Sequence, residues 1–185
     1  MKRLFVRPEL CTGCKTCELA CAIEHSHSKT LFGAMLETPP PHRRIYVEAT
    51  STDGADAFKM PMTCRQCDPA PCIAACIPQA MYRTSEGTVT NVGGKQTCIA
   101  CGMCIMTCPF GMIGRGVSPE GKVMALKCDL CPDLAVPACV AACPTGALSF
   151  VEGDTFAQDG RRRAATVLAE ARQMRDATLL NAKEN

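Results

Sequence analysis

Short apolar runs punctuate this chain, and each stands at a fixed place beside a crowd of cysteines. Arg3–Arg7, Phe58–Met62, Thr88–Val92 and Val123–Leu126 lie ahead of the crowds, and each predicts a short strand. After the crowds come IPQAMY (77–82), PFGMI (109–113) and PTGALSF (144–150), each a turn followed by another apolar β-type run. The prolines predict where a short helix stops, because proline cannot continue a helix just past its C-terminus. Strand, cysteine loop, short helix and strand therefore form a repeating unit.

Three segments break the rhythm. Cys21 is followed by AIEHSHS instead of proline, which predicts that the first helix runs on for a turn or more. Further on, PPPHRR (39–44) predicts a stiff extended segment, and IYVEATS (45–51) alternates like a strand pairing with Phe58–Met62 across TDGAD. Near the end, Ala164, Val167, Leu168, Ala171, Met174 and Leu179 fall on one stripe of a helix predicted over 160–180. Its polar face mixes acids with arginines, so the stripe suits packing on its own subunit or a partner better than lying on a membrane.

Composition changes the picture. Of 185 residues 47% are hydrophobic, but that count includes 16 cysteines, while aromatics make up 4% and tryptophan is absent. Large core-filling side chains are thus scarce, and something besides an apolar core must organise the fold. A formal net charge of +2 excludes a general nucleic-acid binder, which needs a concentrated basic surface. In MKRLFVRPEL only Leu4-Phe5-Val6 is apolar before Arg7 interrupts, so no signal peptide or twin-arginine leader is expected. No run of 18 apolar residues is long enough to span a bilayer. The expectation is a cytoplasmic protein, peripheral to a membrane complex only through a partner, whose reduced thiols bind metal.

The cysteines fall into four groups of four with none left over: Cys11, Cys14, Cys17, Cys21; Cys64, Cys67, Cys72, Cys76; Cys98, Cys101, Cys104, Cys108; and Cys128, Cys131, Cys139, Cys143. Groups one and three read C-x2-C-x2-C-x3-C; group two widens the middle gap to four residues and group four to seven. Three thiolates on a loop that wraps a cube reach three of its iron corners. The last cysteine, one helical turn on, points toward a different cube, as in two-cluster ferredoxins. Zinc ribbons use two C-x2-C pairs and leave the third cysteine and the x3 step unexplained. A disulfide scaffold conflicts with the expected compartment. The pattern specifies iron–sulfur clusters.

These motifs resemble the four-cluster ferredoxin-like electron-transfer subunits of the dimethyl sulfoxide reductase and formate dehydrogenase type. The opening CTGCKTCELACAIEHSHSK with LFGAMLETPPPHRRIYVE is most similar to the CooF-type iron–sulfur protein associated with nickel carbon monoxide dehydrogenase. The resemblance implies an α+β fold of two tandem bacterial-ferredoxin-like units with an inserted hairpin and a C-terminal helix. Residues 1–24 plus 115–151 (groups one and four) would form one unit and 60–114 (groups two and three) the other, with the insertion at 25–59 and the tail at 152–185. It implies four [4Fe–4S] clusters, held by Cys11, Cys14, Cys17, Cys143; by Cys128, Cys131, Cys139, Cys21; by Cys64, Cys67, Cys72, Cys108; and by Cys98, Cys101, Cys104, Cys76.

The same resemblance implies an electron carrier with no catalytic residues of its own. Carbon monoxide dehydrogenase is the foremost donor, and a hydrogenase or another oxidoreductase the acceptor. The alternative is the electron-transfer subunit of a molybdopterin oxidoreductase. Neither nucleic acid nor a direct membrane span is expected. A radical S-adenosylmethionine enzyme is excluded because its C-x3-C-x2-C motif does not occur.

Other features read more simply. His25 and His27 suit a polar helix end better than a ligand role, and GMIGRG (111–116) and VGGKQT (92–97) suit turns better than nucleotide loops. Arg43-Arg44 and Arg161–Arg163 read as solvated charge, with docking of acidic partners as the sharper reading. Met60, Met62, Met103, Met106 and Met112 lie near the cysteine runs, where core packing and walling of the clusters explain them equally well.

Overall fold

The computed structural model of the protein describes residues 1–50 and 57–181, with side chains through 175. Its elements run β1 (Lys2–Val6), a 3-10 turn (Pro8–Leu10), α1 (Thr16–Glu24), α2 (Leu31–Leu36), β2 (Tyr46–Thr50), β3 (Phe58–Met62), α3 (Pro71–Ala74), β4 (Tyr82–Arg83), β5 (Val89–Thr90), α4 (Met103–Thr107), β6 (Ile113–Val117), β7 (Val123–Lys127), α5 (Ala138–Ala141), β8 (Leu148–Glu152) and α6 (Gly153–Asn181). Helices and small strands thus alternate around the cysteine loops. The chain forms two compact units: Leu4–Phe150, and Met1–Arg3 with Val151–Asn185.

In the larger unit each cysteine group ends in a short helix, and the helices pack in pairs: α1 on α5, and α3 on α4. Two cores follow. One gathers Cys17, Cys21, Ile45, Val47, Cys139 and Leu148; the other gathers Ala70, Met81, Val89, Cys104, Ile113 and Ala125. The first draws on groups one and four, the second on groups two and three. In α1 the spacing of Cys17 and Cys21 puts both thiols on one buried face. Pro71 opens α3, where its missing N–H leaves no intrahelical bond unmade.

The strands pair in twos: β1 with β8, β2 with β3, β4 with β5, and β6 with β7. The expected hairpin is present, with Tyr46 opposite Met62 and Thr50 opposite Phe58, while its TDGAD turn lies outside the described residues. The β6–β7 hairpin pairs Ile113 with Lys127 and so runs across residues 114 and 115, where the sequence reading divides its two ferredoxin-like units. The strand expected at Thr88–Val92 shortens to Val89–Thr90, and the Asn91 side chain beyond it donates to Ala125 O at 2.8 Å. The first helix does run on past Cys21, to Glu24.

The smaller unit is dominated by α6. It starts at Gly153, ahead of the expected Gly160, and Asp154 in its first turn complements the positive end of the helix dipole. On the expected apolar stripe Val167 and Leu168 are exposed. Core and stripe predict opposite responses to truncation. Leu148→Ala, at a residue 3% exposed, should cost about 2–5 kcal/mol, whereas Leu168→Ala, at one 71% exposed, should change stability by less than about 0.5 kcal/mol. Anaerobic denaturant titration of the two variants checks this.

Candidate metal centres

The cysteine loops turn tightly. Lys15, Gln66, Ala100, Leu130 and Cys131 all adopt left-handed backbone, with φ of 60°, 51°, 56°, 65° and 50°. Such turns are disfavoured for residues with a Cβ by roughly 1–2 kcal/mol each, but they aim successive peptide N–H groups into one concavity. That concavity suits a negatively charged group carried on thiolates.

Three cavities lie beneath these loops, each lined by four cysteines. Cys11, Cys14, Cys17 and Cys143 line one; Cys64, Cys67, Cys72 and Cys108 a second; and Cys98, Cys101, Cys104 and Cys76 a third. Each takes three thiols from one group and the last thiol of another. The remaining four, Cys21, Cys128, Cys131 and Cys139, are close enough that Cys139 feels the charge of the other three. All sixteen cysteines are free of disulfides.

Without metal the buried thiols resist losing their protons. Burial first, and then neighbouring Cys64, push Cys128 up to about 12, while burial and Glu18 push Cys17 up to about 11. Cys139 is driven higher still by burial and by its cysteine neighbours. Four thiols crowded in this way become stable thiolates only when positive charge sits among them, which is what an iron–sulfur core supplies. The backbone is already arranged for that state: N–H groups of Arg44, Met81, Met112 and Ala125 donate to Sγ of Cys21, Cys76, Cys108 and Cys98 at 3.2, 3.2, 3.4 and 3.5 Å.

The charge interactions also give the sites an order. Cys17 acts on Cys139, Cys64 acts on Cys128, and Cys72 acts on Cys104. The sites of Cys11, of Cys128, of Cys64 and of Cys98 thus follow one another. Cys14 and Cys101, in the first and last of these, are the two exposed cysteines.

A polar triad that the sequence reading did not find surrounds Cys21. Arg44, expected in solvent, is instead 8% exposed and pairs through Nη1 with Asp129 Oδ2. His25 ends α1 as expected, but its Nε2 lies 3.1 Å from Asp129 Oδ1 and its Nδ1 2.7 Å from Cys21 O and 3.6 Å from Cys21 Sγ. Burial alone would lower the His25 pKa, but hydrogen bonds to Asp129 and Cys21 outweigh it and raise it to about 9. Asp129, despite burial, is held well below the usual carboxylate range by His25 and Arg44. Arg43 pairs with Glu18 at 3.1 Å, and Glu18 also accepts the Val47 N–H at 2.6 Å, tying β2 to α1.

The donor atoms of His25, Asp129 and Cys131 lie within 4.8 Å of one another. Asp129 is already engaged by Arg44, and Cys131 belongs to the four-thiol set, so the triad reads as the polar wall of that site. The methionines divide: Met112 is 3% exposed and packs inside, whereas Met106 is 80% exposed and walls nothing. GMIGRG enters β6 and VGGKQT runs through bends.

Asp129→Asn should leave two buried cations without their counter-charge and cost about 3–5 kcal/mol. The His25 part of this stabilisation is present in full below its ordinary value near 6.5 and fades as pH rises through about 9. Anaerobic unfolding of wild type and variant at pH 6 and pH 10 checks both, the gap narrowing at the higher pH.

A family described as the 4Fe-4S dicluster domain matches residues 55–153. An iron-sulfur protein of Rhodospirillum rubrum is 39% identical to this chain, covering 93% of it and 94% of that protein. The electron transport protein HydN of Escherichia coli strain K12 is 34% identical, covering 84% and 92%. Hydrogenase-4 component A of the same strain is 31% identical, covering 84% and 85%. The dicluster match and the sixteen cysteines support four [4Fe–4S] clusters. Matched over more than half its length, through cysteine groups two to four, this chain belongs to the 4Fe-4S dicluster family.

Proposed function

We infer that the chain is an electron-transfer iron–sulfur protein that carries electrons through four clusters and has no chemistry of its own. The observation that carries this reading is the arrangement of the cavities, each lined by three thiols of one group and the last thiol of another. By that pairing the ligand sets are Cys11, Cys14, Cys17, Cys143; Cys128, Cys131, Cys139, Cys21; Cys64, Cys67, Cys72, Cys108; and Cys98, Cys101, Cys104, Cys76. Groups one and four then make one ferredoxin-like unit, and groups two and three the other.

When bound, each cluster supplies a one-electron couple whose potential follows its charge, its hydrogen bonds to sulfur and its exposure. The chain's own part is to hold the thiols, to aim N–H groups at Sγ, and to keep water from the inner sites. Exposed Cys14 and Cys101 mark the two sites where electrons enter and leave. Relatives named as an electron transport protein and as a hydrogenase component support a carrier that serves a larger oxidoreductase.

Carbon monoxide dehydrogenase is the donor this reading puts first, on the strength of LFGAMLETPPPHRRIYVE, with a hydrogenase or another oxidoreductase as acceptor. The second reading, a subunit of a molybdopterin enzyme, is favoured by the general cysteine framework alone. Among the described residues no helix is long and apolar enough to cross a membrane.

Anaerobically purified protein should contain about sixteen irons. Stoichiometric zinc, or eight irons or fewer after full reconstitution, would sink the four-cluster reading. Cys21→Ser should damage the cluster of Cys128, Cys131 and Cys139 before that of Cys11, as read by site-specific spectroscopy; the reverse order overturns the pairing. An anaerobic pull-down should bring nickel with the partner, whereas molybdenum would select the second reading.

A further inference from the structure

Lys127 ends β7 and directly precedes Cys128. It is 2% exposed, and among the described residues its Nζ donates to two carbonyl oxygens, that of Val89 and, at 2.7 Å, that of Cys128. Among the described residues no carboxylate pairs with it. Gln66, between Cys64 and Cys67, is buried beside it and repeats the same grip: its Oε1 accepts the Val89 N–H at 2.8 Å and its Nε2 donates to Cys128 O at 3.1 Å. Two buried side chains thus clasp the peptide groups of Val89 and Cys128 where the loop of group two meets group four.

A buried ammonium is costly unless opposite charge lies close, and carbonyl dipoles offset only part of that cost. The missing charge has two sources. Lys127 Nζ holds the carbonyl of Cys128 itself and that of Val89, which lines the cavity of Cys64, Cys67, Cys72 and Cys108. The two carbonyls belong to different sites, and an iron–sulfur core on four thiolates is net negative, more so when reduced. The ammonium therefore sits where it acts on two negative sites at once.

Resting on the ligand sets given above, we propose that Lys127 poises the two inner sites against each other. Its charge favours the reduced state at both Cys64–Cys67–Cys72–Cys108 and Cys21–Cys128–Cys131–Cys139. An electron crossing between the two ferredoxin-like units then meets no large uphill step. The step moves one electron from a reduced site to its oxidised neighbour; no bond forms or breaks and no proton has to move. Lys127 is a positioning residue, acting through charge without ligating iron.

Lys127→Met keeps the length and removes the charge, and Lys127→Arg keeps the charge. Potentiometric titration of the full chain, followed by electron paramagnetic resonance with iron analysis, reads both. In a fully loaded Met variant, two of the four couples should shift about tenfold toward the oxidised form, or ~59 mV for one electron. The other two should move far less, and Arg should restore the wild-type values. Cys→Ser variants at Cys64 and Cys131 assign the affected pair. Unchanged potentials with iron intact overturn the proposal, and so does an equal shift at all four sites, which is the mark of general loosening. Should Lys127→Met fail to load, Lys127→Gln takes its place. Loss of iron in both neutral variants with full loading in Arg would make Lys127 an assembly residue and also overturn the proposal. About eight irons or fewer in fully reconstituted wild type strikes at the four-cluster reading itself, so the two failures are told apart.

Discussion

Four thiols held within reach of one another, away from water, resist becoming thiolates, and only positive charge among them removes that resistance. This repulsion shapes the rest of the molecule. The helices α1, α3, α4 and α5 are short and carry one or two cysteines each, and the loops accept left-handed turns at Lys15, Gln66 and Leu130 to bring N–H groups inward. The cores are built from cysteines packed against small apolar residues such as Ala70 and Ala125, with few aromatics. Removing the metal would leave crowded thiols and turns with no reason to close, so loading with metal and folding are two aspects of one event.

The same constraint explains why distant groups meet. A cube has four corners, and a loop of three closely spaced cysteines reaches three. The last cysteine of a group lies on the far side of a helical turn, beside another group's loop, as Cys143 does in the cavity of Cys11 and Cys108 in that of Cys64. Strand pairing reinforces the link, since β6 follows group three and β7 precedes group four. Lys127 and Gln66 add a polar clasp between groups two and four, placed where no cysteine crosses.

Much of this was legible in the chain. The strand at Phe58–Met62, its partner beginning at Tyr46, and the run-on of α1 past Cys21 all follow from local pattern, because alternation, proline and turn residues act over a few positions. What local pattern missed is long-range polar pairing. Arg44 reads as solvated in PPPHRR, yet its partner Asp129 lies 85 residues away, and His25 finds the same acid across 104 residues. Lys127 falls just past the strand expected at Val123–Leu126, and its buried partner Val89 lies 38 residues earlier. The start of α6 at Gly153 was missed for a different reason: no apolar periodicity marks its first turns.

The exposure of Cys14 and Cys101 has a further consequence. A site open enough to trade electrons with a neighbouring protein is open to small oxidants as well. Dioxygen would meet the two outer sites first, since the inner pair has no exposed cysteine. The durability of the whole array in air is therefore set at its extremities, and a docked protein covering either one acts as a seal as well as a redox partner.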